Sequence, residues 1–224
     1  MATLTRAHQE LFRRTADECY SSLDDLETAV RDRRTASLDR WQPPQLLLPQ
    51  PESRRLTLSV GNDGVFDLND WSFSQLCRLS GVSRDTINRL SPETAAQAFR
   101  ETLPSAEKPL QLLTTDQTVR SIHGVAYTRL WDSELVATVR EFATDFQPPQ
   151  NAFNGATGLY AGEQDMFLFL IDPAGWIEIQ GEAFAPGFFA WNSEVGRRSL
   201  GLSTFWFQKI CQNHLVWDAV AFHA

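Results

Sequence analysis

Two neighbouring arginines, Arg197 and Arg198, lie close to polar and aromatic residues in the last third of the chain. Guanidinium groups hold phosphates through paired hydrogen bonds, and aromatic rings stack on unpaired bases. A groove that combined these side chains would therefore suit single-stranded nucleic acid. The residues expected to form it, with one arginine from earlier in the chain, are Arg120, Trp191, Asn192, Glu194, Arg197, Arg198, Trp206 and Phe207.

The polar run Asn192-Ser193-Glu194 has a second interpretation, which is structural. It stands between apolar segments, and polar side chains among buried ones must satisfy their hydrogen bonds. They often do so by tying a turn to neighbouring backbone. The structural interpretation is favoured, and the ligand-binding interpretation stays open.

The stretch from Phe73 to Leu90, FSQLCRLSGVSRDTINRL, has the pattern of a helix-turn-helix. A glycine stands where the chain reverses, and the serine two residues later can cap a second helix. Arg84, Asn88 and Arg89 would then face outward, where arginine and asparagine suit guanine and adenine edges. Any two short helices joined by a glycine turn meet the same packing requirement. The pattern therefore predicts two packed helices more firmly than it predicts a reader of duplex DNA.

Motifs of catalysis and metal binding do not stand out. The sequence has no Gly-x-Ser-x-Gly elbow, phosphate-binding loop, dinucleotide fingerprint or His-Glu-x-x-His motif. The four histidines are scattered, and His214, Asp218 and His223 match no common metal-site spacing. We therefore expect no cofactor and no metal, and the enzyme hypothesis has the least support.

Composition is that of a globular protein, with 42% hydrophobic and 21% charged residues and a net charge of -8. This acidic balance weighs against nucleic-acid binding unless arginines gather locally. No apolar run reaches the roughly 20 residues that cross a bilayer, and no secretory signal is recognised. Three distant cysteines, an odd number, favour reduced thiols. The expected location is the cytoplasm, without a membrane partner.

The secondary-structure elements that must position these residues include both helices and strands. Apolar spacing predicts one long helix from Thr5 to about Arg34 within an N-terminal segment, residues 1–40. Four prolines predict a linker over residues 41–55. Hairpins and further helices follow, which predict one domain over residues 56–224. The expected fold class is α+β, with a largely antiparallel sheet, hairpins, several packed helices and the long N-terminal helix.

Three segments resemble a family of phage- and plasmid-related bacterial proteins known as domain of unknown function 932. The most specific is the run Asn192-Ser193-Glu194-Val195-Gly196, followed by Cys211-Gln212-Asn213, although His214 replaces the usual glycine. LCRLSGVSRDTINRL is similar to a helical element of the family, with Val82-Ser83 in place of Ile-Pro. VRSIHGVAYTRLWDSELVATV is similar to a further stretch, and the resemblance covers about Leu56 to Trp217.

The resemblance implies an origin on mobile elements, where such genes often travel with recombination and single-strand-annealing functions. It also implies that the helix-turn-helix pattern belongs to a larger α+β domain. We expect a non-catalytic factor that binds single-stranded DNA. Two alternatives stay open: a helix-turn-helix protein that binds duplex DNA, and an interaction or assembly module that forms a homo-oligomer without nucleic acid.

Overall fold

The computed structural model describes residues 14–149, 158–210 and 213–223. The chain divides into unit 1, residues 1–32 with 130–224, and unit 2, residues 33–129. Each unit contains a six-stranded, mostly antiparallel sheet and packed helices, which confirms the predicted α+β class. The division differs from the single domain predicted over residues 56–224, because the chain leaves unit 1 and returns to it about a hundred residues later.

The N-terminal region is less helical than the apolar spacing predicts. Helix α1 spans Leu23–Thr35, and it is preceded by a 3-10 turn at Ala16–Glu18. The part of the predicted helix before Arg14 lies outside the described residues. Between Arg14 and Ser22 the structure therefore differs from the predicted continuous helix.

Hydrogen bonds explain why α1 begins where it does. The Ser22 hydroxyl accepts the Asp25 main-chain N–H, which caps the first turn. Just before it, the Tyr20 N–H donates to the Leu159 carbonyl, and Cys19 forms a β-bridge with Tyr160. This pairing draws the preceding residues onto a strand of unit 1, and helical periodicity is overridden there.

The sheet of unit 2 is strongly curved. Its strands are β1 Ser37–Gln42, β2 Leu47–Glu52, β3 Arg55–Val60, β4 Val65–Leu68, β5 Leu110–Thr115 and β6 Thr118–Gly124, in the order β1-β5-β6-β4-β3-β2. In a flat sheet the two edges would stand roughly 24 Å apart, from five spacings of about 4.8 Å. The connection from Gln42 to Leu47 reaches at most about 18 Å. The sheet must therefore curl, and Arg40 of β1 meets Asp63 beyond β3 at 3.4 Å.

The segment predicted as a proline-rich linker, residues 41–55, lies within this sheet. It forms the end of β1, a 3-10 turn at Pro44–Leu46, and β2. Prolines are compatible with β2 because it is an edge strand, paired only with β3, and its outer side needs no N–H donor. Residues 41–55 are thus mostly part of the sheet of unit 2, and they do not connect separate parts.

Three helices pack on one face of the unit 2 sheet. They are α2 Asp70–Leu79, α3 Arg84–Ile87 and α4 Pro92–Thr102. Asn69, Ser83 and Ser91 cap them, each accepting a main-chain N–H from the first turn, as their residue types predict. The apolar cluster between helices and sheet contains Leu47, Leu58, Val60, Phe66, Leu76, Cys77, Ile87, Ala95, Phe99, Leu112, Val119 and Ile122.

Unit 1 places helices on one face of its sheet and aromatic rings on the other. Helix α5 spans Asp132–Phe142, and the strands are β7 Leu159–Ala161, β8 Met166–Ile171, β9 Ile177–Ile179, β10 Glu182–Asn192, β11 Gly201–Ile210 and β12 Asn213–His223. The order is β12-β11-β10-β8-β7, with β9 paired to β10. Val30 of α1 and Val139 of α5 belong to one apolar cluster with Leu168. The opposite face carries Tyr160, Phe167, Phe169, Ile171, Ala185, Phe189, Trp191, Phe205 and Phe207.

Candidate nucleic-acid interface

The polar run at the end of β10 performs the structural role. The Asn192 amide Nδ2 donates to the Leu130 carbonyl and to Asp132 Oδ1, both at 2.8 Å. Glu194 Oε1 accepts the Asp132 main-chain N–H at 3.0 Å. Asn192, Glu194 and Asp132 are all buried. These contacts fasten the end of β10 to the beginning of α5, and Glu194 supplies negative charge at the positive end of that helix.

The three aromatic residues predicted to stack on bases are not equally accessible. Trp191 and Phe207 are buried in the aromatic face, whereas Trp206 is 39% exposed. Trp206 pairs with Pro186 on β10, six residues before Asn192. Six residues of strand span about 20 Å. The accessible ring of this trio therefore lies beside the middle of β10, away from the polar run at its end.

Two arginines of unit 1, Arg14 and Arg198, stand beside a shared carboxylate. Arg198 Nε and Arg14 Nη2 contact the two oxygens of buried Asp165 at 2.8 and 2.6 Å, and both guanidinium groups lie over the Phe167 ring. Arg197 is exposed, and its main-chain N–H donates to Ser193. Unit 1 contains eight lysines and arginines against eighteen aspartates and glutamates, a formal charge of -10. This formal charge disfavours the binding of a polyanion by unit 1.

Arg120 belongs to β6 of unit 2, where it is only 7% exposed. The predicted set is therefore divided between the two units, and the seven members in unit 1 do not form one binding surface.

Unit 2 has the opposite charge balance. Its twelve lysines and arginines exceed its ten aspartates and glutamates, a formal charge of +2. It also contains an open groove of about 300 Å³, at the lower end of ligand-pocket volumes. We call it the arginine groove; its lining residues are Arg54, Arg55, Leu56, Leu68, Asn69, Asp70, Phe73, Ile87, Asn88, Leu90, Pro92 and Ala95.

The hairpin between β2 and β3 forms one side of the arginine groove. Arg54 lies in its two-residue turn, after Ser53, whose φ of 52° is in the left-handed region. Arg55 is paired with Asp67 at 2.9 Å and with Glu52 at 3.4 Å. Arg54 is exposed, and no carboxylate in the described part of the chain pairs with it. Its charge is therefore available to an anion.

The helix-turn-helix pattern forms the other side of the arginine groove, and its second helix is short. Helix α3 has four residues, about 6 Å of helix, too little to align several side chains along a major groove. Arg84 is held by Asp70 at 3.0 Å and by the Ser74 hydroxyl at 2.9 Å. Asn88 and Arg89 follow the helix and are exposed. The three residues are thus not presented together on one recognition helix.

The lining of the arginine groove is mixed, and its apolar part, which we call the apolar floor, includes Leu56, Leu68, Phe73 and Leu90. Sequence reasoning missed this site because Arg54 and Arg55 fell within the predicted linker. The available signal was a polar pair, Ser53-Arg54, standing between two apolar runs at hairpin spacing. A pair of strands needs a turn there, and the side chains of a turn at a sheet edge project into solvent.

Searches for relatives give no support for a family or an activity: no protein-family model, curated protein or solved structure matches the chain. Among the described residues, no three histidine, cysteine or acidic side chains are grouped as metal ligands. No helix of the described residues is long and apolar enough to span a membrane. The resemblance to the phage- and plasmid-related family stays a prediction.

Proposed function

We propose that this protein is a non-catalytic factor that binds single-stranded nucleic acid through the arginine groove of unit 2. The observation that carries the proposal is the exposed, unpaired Arg54 at the edge of an apolar floor. The resemblance to phage- and plasmid-related proteins fits a role in recombination or replication. The proposal keeps the ligand expected from the sequence and moves its site to other residues.

The two sides of the arginine groove suit the two parts of a nucleotide. The Arg54 guanidinium can hold a phosphate through charge-assisted hydrogen bonds. The apolar floor can receive an unstacked base, with Phe73 as its aromatic member. A base within a duplex is stacked and paired, so it cannot enter a concave floor without being flipped out. The shape therefore favours a single strand over a duplex.

Fluorescence anisotropy with a labelled single-stranded 15-mer, titrated between 20 and 200 mM salt, tests this proposal. We expect Arg54→Ala to weaken binding several-fold and to reduce the salt slope by about 0.7, the value for one lost phosphate contact on a single strand. Arg100→Ala is the matched control, because Arg100 is also exposed in unit 2 but does not line the groove. Equal effects of the two substitutions, or no binding at low salt, would contradict the proposal.

The assembly-module hypothesis is the second candidate, and a groove in unit 1 favours it. The groove has a volume of about 390 Å³ and no charged residue in its lining, which includes Phe146, Phe188 and Trp206. A second copy of the chain is the partner that we would test. Light scattering should then show a dimer that Trp206→Glu converts to a monomer. A monomer at all concentrations would exclude this candidate.

A further inference from the structure

We propose that Asn88 makes the arginine groove selective for adenine by reading the edge of the base that carries N6 and N7. This inference rests on the proposed function of the same groove. The helix-turn-helix pattern suggested that Asn88 contacts duplex DNA. Here Asn88 contacts an unpaired base instead.

Main-chain hydrogen bonds hold the backbone of Asn88 in place. Its main-chain N–H donates to the Arg84 carbonyl at 3.0 Å. The next two main-chain N–H groups, those of Arg89 and Leu90, donate to the carbonyls of Thr86 and Ile87, both at 3.1 Å. Ile87, immediately before it, is buried. The position of the Asn88 backbone is thus fixed by the end of α3.

The Asn88 side chain, by contrast, is free to bind. It is exposed and lines the arginine groove, and no described group hydrogen-bonds to its amide. Leu90, part of the apolar floor, is 37% exposed two residues away. A base lying on this floor would present its edge to an amide that has an unused donor and an unused acceptor.

An asparagine amide matches adenine for a chemical reason. Its Oδ1 accepts a hydrogen from the N6 amino group while its Nδ2 donates to N7, so both hydrogen bonds form at once. Thymine presents a methyl group and a single acceptor on the corresponding edge. Guanine offers only acceptors on that edge, N7 and O6, and cytosine offers only the N4 donor, so each of the other bases leaves either Oδ1 or Nδ2 of the amide desolvated without a partner.

A modified base isolates this contact. In 7-deazaadenine a C–H group replaces N7, so the base keeps its shape, its N6 amino group and its Watson–Crick edge. We expect the wild-type protein to bind a deoxyadenosine 15-mer roughly three- to tenfold more tightly than the 7-deaza 15-mer. Asn88→Ala should bind the two oligonucleotides equally. Asn88→Asp should do the same, because its carboxylate has no hydrogen to donate to N7.

The outcomes separate this inference from the proposed function. If binding depends on Arg54 but the 7-deaza substitution has no effect, adenine reading by Asn88 is overturned and the arginine groove still binds single strands. If the 7-deaza effect persists in Asn88→Ala, another residue reads N7 and the inference is again overturned. If neither oligonucleotide shows Arg54-dependent binding, the proposed function itself fails.

Discussion

Replacing Asn192 by alanine should destabilise unit 1 by about 2–4 kcal/mol. The side chain is 3% exposed and donates two hydrogen bonds, one to a main-chain carbonyl and one to the carboxylate of Asp132, itself 2% exposed. A neutral hydrogen bond contributes about 1 kcal/mol and one to a charged group about 1.5–3 kcal/mol. Both acceptors would lose a donor in a site that excludes water, so neither bond is replaced.

Urea unfolding followed by tryptophan fluorescence measures this loss. With a slope of about 2–3 kcal/mol per molar urea, the midpoint should fall by about 1 M while the slope stays unchanged. Asn88→Ala is the matched control, since that asparagine is exposed and should change stability by less than about 0.5 kcal/mol.

A further variant tests the direction of the hydrogen bond. Asn192→Asp keeps the shape of the side chain but sets a second carboxylate against Asp132, so it should cost more than the alanine substitution at neutral pH. If Asn192→Ala lowers the midpoint no more than Asn88→Ala does, the junction between β10 and α5 does not stabilise the unit, and the structural role assigned to the polar run is refuted.

Other expectations concern packing, titration and reactivity. Gly187→Ala should cost about 1–3 kcal/mol in thermal unfolding, because a Cβ there would stand 2.6 Å from a main-chain oxygen and an aromatic ring; Gly124→Ala, where space is open, should cost far less. Hydrogen bonding, chiefly by Ser21, holds the pKa of the Asp25 carboxyl below its ordinary value of 3.8. The stabilisation is present at neutral pH and lost as the pH falls through the lowered pKa, so Ser21→Ala should raise the Asp25 pKa in an NMR titration. Burial raises the pKa of the Cys77 thiol, so peptide mass spectrometry should find it alkylated by iodoacetamide at pH 8 only after unfolding.

The division of charge between the units changes how the acidic total is interpreted. A net charge of -8 for the whole chain argues against a nucleic-acid binder. Unit 1 carries -10 and unit 2 carries +2, so the objection applies to unit 1 alone. Phosphate attraction is screened within about 10 Å at ordinary salt, and local charge therefore matters more than the total. The proposed groove lies in the unit whose charge permits it.

Sequence reasoning succeeded where the signal is local. The caps at Asn69, Ser83 and Ser91 were predictable because a short polar side chain reaches a main-chain N–H two or three residues away. The hairpin turning at Asp116-Gln117 was predictable from polar residues between two apolar runs. The fold class follows from the alternation of such elements.

The binding site was not predictable in the same way. Arg54 was assigned to a linker because four nearby prolines disfavour regular structure, and only the position of β2 at a sheet edge makes two of them, Pro49 and Pro51, acceptable within a strand. Arg198 was assigned to a ligand because its partner Asp165 lies 33 residues earlier in the chain. Both assignments lacked the same information, because the identity of a side chain does not state which distant residue it will contact.

By itself the sequence determined the types and approximate limits of most helices and strands, since apolar periodicity and capping act over a few residues. Only the tertiary structure decided that Glu194 caps α5 from 62 residues away, that residues 14–22 leave the helix, and that Arg54, Asn88 and Leu56 share one groove. The physical reason is that these contacts depend on which distant strands pair. Pairing is set by the burial of whole faces and by loop connections that a short window of residues does not contain.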